Sequence, residues 1–101
     1  MTTDKTGTPT TVKAEADRFT IGVEGRTVGS AEFTDRDGQR VFTHTEVDGQ
    51  FEGRGLATIL VGEALEQTRS ADKRIVPECK LVASYLEKHD EYADIVDPVG
   101  H

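Results

Sequence analysis

The sequence predicts an α+β fold, a mostly antiparallel sheet in the order three strands, helix, strand, helix. Three observations carry this reading. Residues 18–47 alternate apolar and polar side chains with a period of two and are interrupted by turn sequences. Residues 55–69 change to helical spacing directly after two glycines. A short apolar run containing Pro77 then separates that helix from a second helical pattern. Strands followed by mixed helix and strand, in one short chain, form a layered sandwich around a single core.

Each element follows from its residues. Met1–Ala16 holds six threonines and almost no large apolar side chain, so it cannot offset the entropy of ordering and reads as a disordered tail over residues 1–16. Residues 17–101 form the domain. In the first strand Phe19, Ile21 and Val23 point one way and Thr20, Gly22 and Glu24 the other. A turn at Glu24-Gly25-Arg26 leads to a second strand, Thr27–Thr34, and Asp35-Arg36-Asp37-Gly38 makes the next turn. The third strand, Arg40–Val47, puts Val41, Thr43, Thr45 and Val47 on one face and Phe42, His44 and Glu46 on the other. The first helix runs from about Gly55 to Arg69. Arg74–Cys79 is a short fourth strand in which Pro77 marks an edge or a bulge. Leu81, Val82, Tyr85, Leu86 and His89 recur at helical spacing in a second helix ending near Asp90, and Tyr92–Val96 packs back on the core.

Bulk properties narrow the function. The 101 residues suit one domain. Nineteen acidic and twelve basic residues give a net charge of −7, which opposes nonspecific attraction to nucleic acid or anionic lipid and weakly favours a cationic amine. No apolar run approaches the roughly 20 residues of a membrane span. No signal-peptide pattern is visible, so the cytoplasm is the expected compartment. The single cysteine, Cys79, has no internal disulfide partner, and with three scattered histidines it makes no recognisable metal site.

The run Gln50-Phe51-Glu52-Gly53-Arg54-Gly55-Leu56-Ala57 lies between a strand and a helix. Glycines there expose backbone N–H groups at a helix N-terminus, where the dipole adds about half a positive charge, and phosphate is a natural occupant. The pattern lacks the Gly-Lys-Ser/Thr ending of nucleotide hydrolases and the third glycine of the dinucleotide fingerprint. On the glycines alone, a simple tight strand-to-helix turn is an equal reading.

The same run resembles the Gln/Arg-x-x-Gly-x-Gly/Ala motif of the GNAT superfamily of acetyl-CoA-dependent N-acetyltransferases. With His44-Thr45-Glu46-Val47 before it and Ile75-Val76-Pro77-Glu78-Cys79, Tyr85-Leu86 and His89-Asp90-Glu91-Tyr92 after it, the chain is similar to the short, single-domain YjdJ-type branch from about Phe19 to Val96. Asp90 departs from that branch, which commonly has proline after the histidine. The resemblance implies a GNAT-like sheet splayed between the third and fourth strands, with the CoA arm entering the splay. It also implies acetyl-CoA as co-substrate, pyrophosphate binding by the amides of Gln50 through Ala57, and an amine acceptor that is a small molecule or a protein. A monomer and a homodimer are both compatible with it.

Three side chains are candidates for the chemistry of acetyl transfer, which needs a deprotonated nucleophile, a polarised carbonyl and a proton for the leaving thiolate. Cys79 precedes a helix, a position that favours thiolate, and the resemblance points to the same cysteine; a small buried apolar group is the plainer reading. His44 projects with Glu46 and suits a general base, against a structural histidine. Tyr85 falls where many GNAT enzymes carry a tyrosine near the CoA sulfur, against a core residue. His89 and Tyr92 read as packing at the C-terminal turn. An acyl-CoA-binding or interaction module without catalysis is the alternative function.

Overall fold

Two hairpin turns set the register of the sheet, and in each an acidic residue and a glycine adopt left-handed backbone: Glu24 at φ 53° with Gly25 at 78°, and Asp37 at 50° with Gly38 at 79°. Paired left-handed residues give a turn whose twist matches that of its flanking strands. The computed structural model describes residues 2–3, 7–51 and 55–98. Its elements are β1 (Thr2–Thr3), β2 (Pro9–Ala14), β3 (Arg18–Val23), β4 (Arg26–Arg36), β5 (Gln39–Val47), α1 (Leu56–Ser70), β6 (Arg74–Pro77) and α2 (Lys80–Glu87). A 3-10 turn at Gly49–Phe51 precedes α1, and another at Asp90–Ile95 follows α2.

The sheet has the order β1-β2-β3-β4-β5-β6, antiparallel up to β5 and parallel between β5 and β6. This is the expected α+β class with additional strands at the N-terminal edge. The expectation of a disordered tail is corrected for Pro9–Ala14, which pairs with β3 from Thr10↔Val23 to Ala14↔Phe19. Composition misled because an edge strand draws much of its stability from backbone pairing, and threonine is β-branched and fits a pleated surface. Thr10 is buried and Val12 packs against the core, which is inward contact enough. Residues 1, 4–6 and 99–101, part of the expected tail and domain, lie outside the described residues.

Both helices cover one face of the sheet. Leu56, Leu60, Val61, Ala64 and Leu65 of α1 and Val82 of α2 meet Phe19, Ile21, Ala31, Phe33 and Phe42. The rings of Phe19 and Phe33 lie 5.2 Å apart and those of Phe33 and Phe42 6.0 Å apart. Burying each such ring contributes about 1.5–3 kcal/mol. Thr68, fully buried on α1, is satisfied by donating to the Ala64 carbonyl at 2.7 Å. The C-terminal segment packs back as expected: Tyr92 is buried, Val96 bridges Ile75, and Asp97 accepts from Gln39 at 2.8 Å and Arg74 at 2.7 Å.

Two irregularities shape the region between β5 and β6. Their ladder ends at Phe42↔Pro77, where proline offers no N–H, while β5 continues to Val47. The last link is the Cys79 N–H donating to the Phe42 carbonyl at 2.9 Å. The sheet therefore opens between these strands, where the splay was expected. The second irregularity is a bulge in β5. Glu32 pairs with His44 and Phe33 with Phe42, leaving Thr43 without an opposite residue in β4.

The bulge corrects the predicted division of faces. Ala31 lies opposite both Phe19 and Thr45, so Thr45 faces the helices, as does Phe42 opposite Phe33. Simple alternation put Phe42 with His44 and Glu46. One extra residue reverses the parity, and His44 and Glu46 stand instead on the open face, away from Phe42 and Thr45.

Candidate coenzyme and active site

Gly55 caps α1 in a left-handed conformation, φ 79° and ψ 12°, which only glycine adopts without a steric cost. The first helical bond within α1 runs from Ile59 N–H to the Gly55 carbonyl at 3.1 Å. Leu56, Ala57 and Thr58 thus occupy the first turn, where N–H groups have no helical acceptor. Among the described residues no side chain caps this end, and its first turn has no acidic residue. The positive end of the helix dipole is left uncompensated by its own side chains.

Upstream, the expected donors are partly occupied. Gln50 N–H donates to the Asp48 carboxylate at 3.0 Å and Phe51 N–H to the Asp48 carbonyl at 2.9 Å. Of the eight residues expected to bind pyrophosphate, these two have amides already engaged. Glu52, Gly53 and Arg54 lie outside the described residues. Gly55, Leu56 and Ala57 supply the open end of the helix. The Phe51 ring packs against the core, with the Arg26 guanidinium 5.7 Å from its centroid.

A cavity of about 230 Å³ begins beside this helix end. Ala57, Thr58 and Val61 line it from α1, Leu81, Ser84 and Tyr85 from α2, and Lys88 and His89 from the residues following α2. It brings together two expected site residues, Ala57 and Tyr85.

Tyr85 is half-buried, its ring stacked on His89 with centroids 3.9 Å apart and planes at 9°. Its hydroxyl lies against α1 at Gly62, 2.7 Å from where a Cβ would stand. Burial raises its phenol above the usual range, assisted by the nearby Glu91 and Glu66, so it keeps its proton at neutral pH. His89 packs on Tyr85 and also lines the cavity. Tyr92 packs as expected, donating to Glu66 at 2.9 Å under the Arg69 guanidinium.

Cys79 occupies the N-cap of α2, 8% exposed, with its thiol donating to the Thr45 hydroxyl at 3.3 Å. The thiol sits beside β5 just past the last β5–β6 pair. The α2 N-terminus also lacks a side-chain cap bond and an acid in its first turn. His44 is exposed, its Nε2 3.4 Å from the Glu46 carboxylate. The expected pairing of His44 with Glu46 is present. The structure does not bring His44 onto the face of Thr45 and Cys79.

Sequence reading missed Thr45, Gly62 and Lys88. Thr45 was hidden by the bulge, whereas Gly62 carried a usable signal, a glycine in the interior of an otherwise good helix. Among the described residues no helix is long and apolar enough to cross a membrane, and no group of His, Cys, Asp and Glu is placed to hold a metal ion.

Comparison with known proteins agrees with this architecture. Residues 18–95 match the family described as GCN5-related N-acetyl-transferase. A GCN5-like candidate N-acetyltransferase of Staphylococcus aureus, solved in solution by NMR, superposes with a TM-score of 0.67 at 25% identity, over 90% of this chain and 91% of that one. No curated protein matches the chain. A mixed sheet that opens between two parallel strands, with the α2 N-cap beside the opening, matches the fold of the Staphylococcus aureus structure. The chain belongs to the GCN5-related N-acetyltransferase family.

Proposed function

We propose that the protein is a cytoplasmic enzyme that moves an acetyl group from acetyl-CoA to an amine. The observation that carries the reading is the N-terminus of α1: opened by left-handed Gly55, with no side-chain cap among the described residues and no acid in its first turn, and adjoining the cavity between the helices. In this reading the coenzyme pyrophosphate lies against the N–H groups of the first turn of α1. The pantetheine arm runs toward the opening between β5 and β6, where Cys79 and Thr45 meet.

Transfer forms a bond from the acceptor to the thioester carbonyl carbon and breaks the carbon–sulfur bond, and CoA leaves as a thiolate that takes up one proton. Cys79 fits the role of first acceptor. Its sulfur would lose a proton, form an acetyl thioester and pass the acetyl group to the amine. His44, paired with Glu46, is the candidate base for the amine, although it stands on the face of β5 opposite Cys79. Tyr85, still protonated at neutral pH, is a proton source along the coenzyme path.

A second reading is a CoA-binding module without transfer, favoured by the location of His44 and Cys79 on opposite faces of β5. Release of free CoA from acetyl-CoA in the presence of an amine panel separates the two. Amine-dependent release supports the enzyme; tight coenzyme binding with no release supports the module. Intact mass after incubation with acetyl-CoA alone tests the covalent route. One added acetyl group, absent in Cys79→Ala, is expected, and normal turnover with no adduct would eliminate it.

A further inference from the structure

We propose that Thr45 is a positioning residue for Cys79: it holds the sulfur at the opening between β5 and β6 and donates a hydrogen bond to it once the thiol proton has left. This rests on the reading that Cys79 is the first acetyl acceptor. Thr45 is buried on the helix side of β5, a placement that the bulge at Thr43 produces by reversing the parity of the strand. Without that extra residue, alternation from inward Phe42 would put His44 on the helix side instead.

The hydrogen-bond inventory of the pair supplies the chemistry. A threonine hydroxyl has one proton to donate and can also accept, whereas a thiol is a weak donor and a thiolate can only accept. With Cys79 protonated, the Thr45 hydroxyl accepts from the sulfur at 3.3 Å, and that sulfur is its only hydrogen-bond partner among the described residues. The hydroxyl proton therefore has no protein acceptor to leave. Thr68, also buried, is the contrast: its hydroxyl donates to the Ala64 carbonyl at 2.7 Å, so its proton is committed. When Cys79 becomes a thiolate, the Thr45 hydroxyl hydrogen alone needs to turn, and a bond to an ionised acceptor is roughly twice as strong as one between neutral groups. The backbone keeps the sulfur in place for this exchange of roles. Cys79 N–H donates to the Phe42 carbonyl at 2.9 Å, and the Cys79 carbonyl accepts from Ala83 N–H at 3.0 Å. Among the described residues no imidazole or ammonium bonds the sulfur, and His44 stands on the other face of β5. The thiolate thus depends on Thr45 and on the N-terminus of α2, whose first turn has no acid. The acetyl step balances: the Cys79 sulfur bonds the thioester carbonyl carbon, the bond from that carbon to the CoA sulfur breaks, and the proton lost by Cys79 reaches the departing CoA thiolate through solvent.

The test compares the whole parent chain with Thr45→Val, Thr45→Ser and, as a control for lost stability, Thr68→Val. Two rates are followed by intact mass at neutral pH: alkylation of Cys79 by iodoacetamide, and acetylation by acetyl-CoA without an amine. Thr45→Val should slow both by about tenfold, the scale of one hydrogen bond to a charged group. Thr45→Ser should restore most of each rate, and Thr68→Val should slow neither. A merely structural Thr45 predicts the opposite sign, because a loosened site exposes the buried sulfur and speeds alkylation. Alkylation that is unchanged or faster in Thr45→Val, or slowed equally in Thr68→Val, overturns the role of Thr45 while leaving Cys79 as acceptor. No acetyl adduct on the parent, with alkylation still slowed in Thr45→Val, overturns the acceptor reading and with it the place of Thr45 in the transfer.

Discussion

The Cys79 thiol donates to the Thr45 hydroxyl across 3.3 Å, tying the cap of α2 to β5 just beyond the point where β5 and β6 part. Both residues are buried, and this is a polar link at the edge of an otherwise apolar contact. Thr45→Val keeps the shape and removes the partner. It should cost about 0.5–1.5 kcal/mol, read as a lower urea midpoint with unchanged slope, and Thr45→Ser should recover part of it. No change in midpoint on Thr45→Val would mean that the link carries no stability.

Gly62 and Tyr85 form a second coupled pair. Alanine is favoured over glycine in a helix interior by roughly 1 kcal/mol, but a Cβ at Gly62 would stand 2.7 Å from the Tyr85 hydroxyl oxygen. Gly62→Ala should therefore destabilise the parent protein by about 1 kcal/mol and become neutral or stabilising in a Tyr85→Phe background. A double-mutant cycle on thermal or urea unfolding measures the coupling, and additivity would show that the hydroxyl does not dictate the glycine.

Gly55 is constrained by backbone rather than by neighbours. At φ 79° an L side chain costs about 1–2 kcal/mol, so Gly55→Ala should destabilise by that amount and weaken coenzyme binding by displacing the first turn of α1. Stability from urea melts and affinity from titration should fall together. A loss of stability with unchanged CoA affinity would separate this turn from the binding site.

Tyr92 and Asp97 of the C-terminal segment contribute to the pH dependence of stability. Burial, then its hydrogen bond to Glu66, raises the Tyr92 phenol above its unfolded value near 10. Its contribution is complete below about pH 10 and is lost as pH rises through the folded value. The bonds from Gln39 and then Arg74 lower the Asp97 carboxyl, so its contribution is present above about pH 4 and is lost as pH falls through its folded value. Tyr92→Phe should flatten the alkaline limb of the unfolding midpoint against pH, and Asp97→Asn the acidic limb. If both variants retain the parent profile, other groups set the pH dependence.

Much of the fold was legible because its signals were local. Period-two alternation in Phe19–Val23, acidic-glycine turns at Glu24-Gly25 and Asp37-Gly38, and the apolar stripe from Leu56 to Leu65 each specify an element without reference to the rest of the chain. Pro9–Ala14 was not legible, because its order comes from pairing with β3 rather than from its own composition. For the site, the open end of α1 followed from Gly55. The bulge at Thr43 has no mark in the sequence, and it alone decides that Thr45 rather than His44 meets the Cys79 thiol. Occupation of the Gln50 and Phe51 amides by Asp48 was likewise visible only in three dimensions.

Coenzyme binding at the N-terminus of α1 is the claim on which the proposed function depends, and isothermal titration of the protein with acetyl-CoA tests it most directly. One molecule should bind per chain, with weaker binding by Gly55→Ala and by acetyl-pantetheine, which lacks the pyrophosphate. Absence of binding at millimolar acetyl-CoA, or equal affinity for acetyl-CoA and acetyl-pantetheine, would contradict it.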